Sequence, residues 1–278
     1  MSRKKLKPVT VIQQILLIFT TLVFLFPFVI CLLMSVKSKE ESAINVLGFP
    51  SSIHWVNFTE AIAKANIFNS MKNSIILTVF AVLLTVIVAS MAGYGIARRY
   101  NNRFFRFYET VLMAVMMIPF QTLMIPIYRM YKSLGLLNTL PGAIIMIGSF
   151  NVPFAVMMIV GFVRTLPIEL EEAALLEGCG HFKLFVQIVF PLMKPVIATI
   201  AILDALWTWN EFNVSLLVLQ KNAVKTIPLQ QYVFFGEHSS DYNMAFAAAI
   251  ISMIPIIIFF IFAQDKIVEG MTAGAVKG

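Results

Sequence analysis

The sequence has few charged residues and few cysteines, and each shortage excludes a class of protein. Charged residues make up 13% of the 278 residues, about half the share that soluble domains carry. The two cysteines, Cys31 and Cys179, lie in an apolar run and in a polar stretch. Neither has the spacing of a disulfide framework or of a metal site, so we expect no redox or zinc chemistry.

The common sequence motifs of catalysis are also missing. No Gly-Lys dipeptide occurs, so no P-loop can hold the phosphates of ATP. His54, His181 and His238 are isolated, and no His-Glu-x-x-His pair or Gly-x-Ser-x-Gly turn is present. We therefore predict a non-catalytic chain that binds no metal and no cofactor, so that any energy must come from a partner.

Apolar residues, in contrast, are abundant. They make up 59% of the chain, and the mean hydropathy is +0.86. One soluble core of this size cannot hide so much apolar surface, so lipid must be the solvent for part of the chain. The net charge of +7 comes from basic residues in loops beside apolar runs, which indicates a membrane protein and no nucleic-acid partner.

Six segments are long enough to cross a bilayer as helices. We predict an all-α, polytopic membrane protein in which residues 1–278 form one transmembrane domain. The first apolar run is too long for a signal sequence and lacks a cleavage site, so we expect it to be retained. No internal repeat is evident, which gives no support to an inverted-repeat secondary transporter. The predicted spans are Val11–Met34, Asn73–Ala97, Phe107–Tyr128, Pro141–Val163, Pro195–Leu217 and Met244–Ala263.

The distribution of lysine and arginine predicts the orientation of these spans. The segments on the side of the N-terminus hold 13 basic residues in 65 positions, and those on the other side hold 8 in 74. Positive residues concentrate in cytoplasmic loops. We therefore expect both termini and the loop 164–194 to be cytoplasmic, and the external segment 37–72 to form a small ordered cap.

The loop Thr165–Pro195 has the sequence of a short, capped helix. Thr165 is a good N-cap residue, and Pro167 suits the first turn. Three glutamates then follow near the positive end of the helix dipole, and Gly178 suits a left-handed C-cap. A docking helix and a merely solvated loop helix both fit this pattern. The three glutamates are Glu169, Glu171 and Glu172.

Polar residues within the spans mark a candidate substrate path. A carboxylate such as Asp204 is costly in the bilayer, and such groups usually face a bundle interior or a wet cavity. Asp204, Trp207 and Glu211 recur at helical spacing, and hydroxyl-rich ligands such as sugars suit acids beside aromatic rings. Trp207 fits an interfacial anchor equally well, and Asn151 also fits a bond between helices. The candidate path residues are Gln121, Asn151, Asp204, Trp207, Asn210 and Glu211.

Several stretches resemble the permeases of ABC importers, in the carbohydrate-uptake class. The loop has the pattern Glu-Ala-Ala…Gly followed by Ile-x-x-Pro, and the chain is similar along nearly its whole length to the smaller maltose-transporter-type permease. Cys179-Gly180 departs from the small or hydroxyl residues that are usual after that glycine, and Asp204 matches no family motif. The matching stretches are Glu172-Ala173-Ala174, Gly178, Ile188, Pro191, Ile118-Pro119-Phe120-Gln121, Trp209-Asn210-Glu211-Phe212, Thr226-Ile227-Pro228-Leu229 and the tail from Glu269 to Gly278.

The resemblance implies a permease subunit of an ATP-driven, binding-protein-dependent importer of sugars or oligosaccharides in a bacterial or archaeal cell membrane. Its implied partners are a homologous second permease, two cytoplasmic ATP-binding subunits that hold ATP and Mg²⁺, an extracytoplasmic sugar-binding protein and membrane lipid. The implied coupling residues are Glu169, Glu171, Glu172, Ala173, Ala174, Gly178 and Pro191, and the implied tail contacts are Thr272, Gly274 and Lys277.

Two alternatives remain open at this point. One is the permease of a related importer for a non-sugar or glycerophosphate-type solute. The other is a stand-alone channel or secondary transporter, in which the acidic loop is only structural. Among the loop glutamates, we favour Glu172 as the contact to the ATPase.

Overall fold

The computed structural model describes the backbone of residues 8–235 and 241–275, and the side chains of residues 11–235 and 241–264. Over these ranges the regular structure is helical, in agreement with the all-α prediction. A π-helical turn at Phe185–Val189 and a 3-10 turn at Tyr232–Phe234 supplement fourteen α-helices. These are α1 Pro8–Ser35, α2 Lys39–Ile44, α3 Val56–Lys64, α4 Ile67–Arg98, α5 Arg103–Met116, α6 Phe120–Ser133, α7 Leu140–Val163, α8 Glu169–Leu176, α9 His181–Leu184, α10 Phe190–Leu192, α11 Lys194–Trp209, α12 Asn213–Val218, α13 Ile227–Gln231 and α14 Tyr242–Ala275.

Among the described residues, four helices are long and apolar enough to cross a membrane, namely α1, α4, α7 and the first two thirds of α14. Two bent helix pairs bring the number to six if each pair is one span. The helix α7 shows how the sequence defines such an element. The Thr139 side chain accepts a hydrogen bond from the Gly142 amide at its start, and Pro141 occupies the first turn. The polytopic architecture predicted from hydropathy is therefore confirmed.

The third and fifth predicted spans differ from continuous helices. Within Phe107–Tyr128 the chain bends by 101° between α5 and α6, at a turn that ends in Pro119. Proline has no amide hydrogen and so cannot donate the backbone hydrogen bond that would continue the helix α5. Within Pro195–Leu217 the helix α11 ends at Trp209, and α12 begins at Asn213. Hydropathy does not register the first break, because Met117, Ile118 and Phe120 around it are apolar.

The chain divides into two compact units, and the first contains Met1–Ile67 and Gln231–Ile254. Buried amides hold this unit together. The Asn57 side chain donates to the carbonyls of Ser35 and Lys37 at 2.9 and 2.8 Å, and Asn243 donates to the Met34 carbonyl at 2.8 Å. The Lys37 amine is fully buried and donates to the Asn45 carbonyl at 2.8 Å. The external segment expected to be ordered thus contains α2, α3 and this network.

The second unit contains Phe68–Gln230 and Pro255–Gly278, and it has two apolar clusters. One cluster joins residues of α4, α5, α7, α8, α9 and α11, including Ile96, Ile159, Ala174 and Leu184. The other joins residues of α4, α6, α7, α12 and α13. Because Ala174 and Leu184 belong to the first cluster, the segment that the sequence presented as a polar loop packs against the spans.

Close contact between α4 and α7 gives a first prediction. A Cβ atom on Gly93 would lie 2.6 Å from the Ile159 side chain, whereas one on Gly95 would meet no heavy atom within 4 Å. We expect Gly93→Val to overpack this contact and to cost about 1–3 kcal/mol, seen as a lower midpoint of thermal unfolding in detergent. Gly95→Val is the matched control, since it changes the same residue type in the same helix. Equal losses from the two variants would contradict the packing argument.

Candidate functional site

The helix α8 begins later than the sequence predicts. The Thr165 hydroxyl donates to the Phe162 carbonyl at 2.7 Å and so does not cap α8. The cap position falls at Ile168, with no side-chain cap bond, and Glu169 is the first helical residue. The other end agrees with the prediction, because Gly178 has a φ of +85°, which favours glycine. The predicted loop then continues as helical turns through α9, the π-turn and α10.

Glu171 lies inside the chain, whereas the sequence grouped it with surface acids. Its Oε2 accepts a hydrogen bond from the Tyr94 hydroxyl at 2.7 Å, and its Oε1 accepts one from the Arg98 Nε at 2.7 Å. The side chains of Glu171 and Arg98 are 9% and 15% exposed. The Arg98 Nη2 also donates to the Leu166 carbonyl at 3.1 Å. This cluster, which we name the Glu171 clamp, ties α8 to the end of α4.

Tyr94 and Arg98 are not among the site residues predicted from the sequence. They stand four residues apart in α4 and therefore share one face of that helix. A tyrosine hydroxyl and a guanidinium on one face can both donate to a single carboxylate, and this spacing was the signal available in the sequence. Only the fold identifies that acid, because Glu171 lies more than seventy positions later in the chain.

A second ion pair joins the neighbouring helices. The Arg164 Nη2 donates to both oxygens of Glu109, at 3.1 and 2.9 Å, and the Arg164 guanidinium lies 4.1 Å from the centre of the Tyr100 ring. Arg164 follows α7 directly, and Glu109 lies in α5. The end of α7 is thus fixed on α5 close to where the chain enters the α8 segment.

The remaining predicted coupling residues divide between two faces of the segment. Ala174 is buried in the apolar cluster, and Pro191 is half-buried in α10. The exposed residues are Glu169, Glu172, Ala173 and Gly178. Of the seven predicted coupling residues, the structure therefore buries Glu171 and Ala174, half-buries Pro191 and leaves four on the surface.

Large apolar side chains are exposed on the same surface, and their contact with water is unfavourable. Leu176 is 90% exposed and Phe182 is 77% exposed, and Ile168 and Leu170 are each 47% exposed. Ile168, Leu170 and Leu176 lie outside the candidate spans, and Phe182 lies at the start of the bent pair His181–Leu192 and Lys194–Trp209. Contiguous exposed apolar residues rimmed by charge are typical of protein contacts. We name these four residues, together with Glu169, Glu172 and Ala173, the α8 surface.

The intramembrane polar residues come together in part. Asp204 in α11 is 1% exposed and faces the Thr85 hydroxyl of α4, and within the described chain its Oδ2 has no hydrogen-bond partner. Four residues further along α11, the Thr208 hydroxyl accepts a hydrogen bond of 3.4 Å from the Asn151 amide of α7. A buried carboxyl between α4 and α11, with one oxygen that has no hydrogen-bond partner in the described chain, is costly in a membrane, which makes Asp204 a candidate functional group.

The other predicted path residues lie nearer the ends of their helices. Trp207 is 47% exposed, and its ring lies 4.9 Å from that of Phe154. Asn210 is exposed and donates to the Leu206 carbonyl at 2.8 Å. Gln121 is exposed in the first turn of α6.

Glu211 has a local structural partner. Its carboxylate accepts hydrogen bonds from the amides of Val214 and Ser215 at 2.8 and 3.0 Å, which satisfies the free amides at the start of α12. These bonds explain why the chain can begin a new helix immediately after α11 ends.

The predicted tail contacts fall at the edge of the described chain. The backbone of Thr272 and Gly274 continues α14, but their side chains lie outside the described residues. Lys277 lies wholly outside them.

A cleft of about 570 Å³ opens between α4, α11 and the second half of α14. Its lining is apolar apart from Thr78 and Trp209, and Asp204 is not part of it. Such a lining suits acyl chains or another helix better than it suits a sugar. The cleft therefore does not coincide with the candidate polar path.

Comparison with known proteins agrees with this architecture. A solved structure of a bacterial ABC transporter involved in the import of the acidic polysaccharide alginate contains a chain with the same fold, at a TM-score of 0.79 and 23% identity, over 95% of this chain and 98% of that one. The melibiose/raffinose/stachyose import permease protein MelC of Bacillus subtilis is 38% identical over 91% of each chain. The probable starch degradation products transport system permease protein AmyC of Thermoanaerobacterium thermosulfurigenes is 34% identical over 96% of this chain and 98% of its own.

The model of one protein family matches residues 86–272, a range that includes the Glu171 clamp, the α8 surface and Asp204. The chain therefore belongs to the family of binding-protein-dependent transport system inner membrane components.

Proposed function

We propose that the chain is the permease subunit of an ATP-driven importer of sugars or oligosaccharides. The observation that carries this proposal is its similarity, over more than nine tenths of its length, to permeases named for melibiose, raffinose and stachyose and for starch degradation products. A third relative, from Streptococcus mutans, is named for multiple sugars and is 34% identical over 95% of this chain. The function is transport, and the chain itself is non-catalytic.

The α8 surface is the docking site for a cytoplasmic ATP-binding subunit in this proposal. Its exposed apolar side chains need a partner, and the charge distribution of the sequence assigns the segment 164–194 to the cytoplasm together with both termini. Glu169 and Glu172 flank the contact, whereas Glu171 supports it from inside the chain. ATP and Mg²⁺ bind to the ATPase, and Thr272, Gly274 and Lys277 are additional contacts to it.

The other proposed partners complete the importer. A homologous second permease forms the rest of the path, and an extracytoplasmic binding protein delivers the sugar. Along the path, Gln121, Asn151, Asp204, Trp207, Asn210 and Glu211 offer the hydrogen-bonding groups and the aromatic ring that sugars require.

Purification and uptake together test this function. A tagged chain taken from its native membrane should carry an ATPase and a second permease with it. Proteoliposomes that contain the assembly and the binding protein should accumulate melibiose, raffinose or maltooligosaccharides only with internal ATP. A chain that purifies alone and conducts solute without ATP would instead be a stand-alone channel or secondary transporter, and uptake of glycerophosphates alone would identify a non-sugar importer.

Asp204→Asn tests the substrate path. A hydrogen bond from a sugar hydroxyl to a charged group contributes about 1.5–3 kcal/mol, so we expect the KM of uptake to rise about tenfold or more, with assembly and ATPase binding unchanged. Ser149→Ala is the control, because the Ser149 hydroxyl donates to the Ile145 carbonyl of its own helix at 2.6 Å. An unchanged KM and sugar preference would assign Asp204 to helix packing.

A further inference from the structure

The connection between α4 and α5 carries three arginines whose charge the described chain does not neutralise. Arg99, Arg103 and Arg106 are exposed, and no described carboxylate lies within ion-pair distance of them. In contrast, Arg98 at the start of this connection and Arg164, which stacks on its Tyr100 ring, are both paired with glutamates. The difference indicates that the three exposed guanidinium groups are available to an external anion.

Exposed aromatic rings are interleaved with these arginines. The Arg99 guanidinium lies 5.6 Å from the Phe105 ring centre, and that of Arg106 lies 5.9 Å from the centre of Tyr100. Stacking on rings holds the guanidinium groups in place while their outer N–H groups stay free. Four rings of this connection are between 43% and 68% exposed, namely Tyr100, Phe104, Phe107 and Tyr108.

The position of the connection matches the headgroup layer of a bilayer. A candidate span ends at Arg98, and the bent pair that begins at Arg103 follows after four residues. Side chains at such a junction lie where hydrocarbon gives way to headgroups, the depth at which aromatic rings and long basic side chains are both favourable.

We propose that the surface from Arg99 to Tyr108 binds the headgroups of anionic phospholipids. The three guanidinium groups bind the lipid phosphates through paired N–H donors, and the exposed rings insert beside the acyl chains. An acidic protein surface would satisfy the arginines but would leave Phe104 and Phe107 against polar groups. A lipid surface satisfies both kinds of side chain.

Native mass spectrometry of the purified importer complex, titrated with phosphatidylglycerol or phosphatidylcholine in detergent, measures this binding. The variant Arg99→Gln, Arg103→Gln, Arg106→Gln should bind phosphatidylglycerol about a hundredfold more weakly, given roughly a fivefold contribution from each basic residue near the surface. Binding of phosphatidylcholine should change little. The loss should also appear for the wild-type complex at high salt, because salt screens such contacts.

Two matched variants separate this proposal from a general charge effect. Replacement of all three arginines with lysine should retain most of the affinity. Replacement of Arg129, Lys132 and Lys221 with glutamine removes the same charge from exposed positions elsewhere and should leave binding unchanged. The proposal is overturned if the first variant binds phosphatidylglycerol normally, if both glutamine variants lose it equally, or if the first variant keeps its lipid but loses the ATPase.

Discussion

Glu171→Ala is expected to destabilise the chain and to abolish sugar uptake, although Glu171 is buried and does not belong to the α8 surface. The substitution leaves the Arg98 Nε and the Tyr94 hydroxyl without their carboxylate acceptor, and the Arg98 side chain is only 15% exposed. The loss of one partner from a buried ion pair costs about 3 kcal/mol, because the remaining charge stays desolvated. We expect a fall of roughly 6–12 °C in the midpoint of thermal unfolding, together with loss of ATP-dependent uptake in proteoliposomes.

Glu169→Ala is the matched control for this result. It removes the same side chain from the same helix two positions earlier, but Glu169 is exposed. Its removal should leave the unfolding temperature nearly unchanged. Tyr94→Phe should give an intermediate loss, since it removes one of the two bonds to Glu171. If Glu169→Ala and Glu171→Ala lower the unfolding temperature equally, the clamp does not hold α8.

Leu176→Glu should leave the unfolding temperature of the chain nearly unchanged, unlike Glu171→Ala, but should prevent assembly with the ATPase. The Leu176 side chain is 90% exposed, so the substitution costs the isolated chain little. In the proposed complex this side chain is buried against the ATPase, where a leucine contributes about 1.5–3 kcal/mol and a glutamate must be desolvated. We expect binding of the ATPase, measured by co-purification and by titration of the separate subunit, to weaken by about a hundredfold.

Ile44→Glu provides the control for assembly. Ile44 is 88% exposed and lies in α2, within the segment assigned to the external side. The change in charge and in exposed apolar area is nearly the same as at Leu176. Retention of the ATPase by Leu176→Glu, or its equal loss from both variants, would show that the α8 surface is not the docking site.

Composition and hydropathy were sufficient to predict the membrane helices. Segments of about twenty or more predominantly apolar residues, such as those within α1 and α7, form helices in lipid, because a helix satisfies every backbone amide internally. The same reasoning could not locate the bend of 101° before Pro119. Proline occurs inside continuous helices of this chain as well, at Pro153 and Pro255, so proline alone does not mark a break.

The sequence also does not predict which glutamates of α8 face the inside of the chain. Helical residues advance by about 100°, so Glu169 and Glu171 point in nearly opposite directions, and the two cannot both face one partner. The sequence therefore excludes a single acidic face. It does not show which of the two faces inward, because leucines occur on both sides of the helix.

The sequence by itself determined that lipid surrounds much of the chain, that the chain is helical, which family it belongs to and that the backbone turns left-handed at Gly178. Each follows from local composition or from motifs that a few adjacent residues carry. Only the tertiary structure decided that Glu171 and Ala174 are internal and that Glu172 and Leu176 are on the surface. It also decided that Asp204 faces Thr85 of α4, with one oxygen that has no hydrogen-bond partner among the described residues. These outcomes depend on residues such as Tyr94 and Arg98 that are distant in the chain. Charge pairing and burial depend on which residues lie close together in the folded chain, and the order of residues alone does not give those distances.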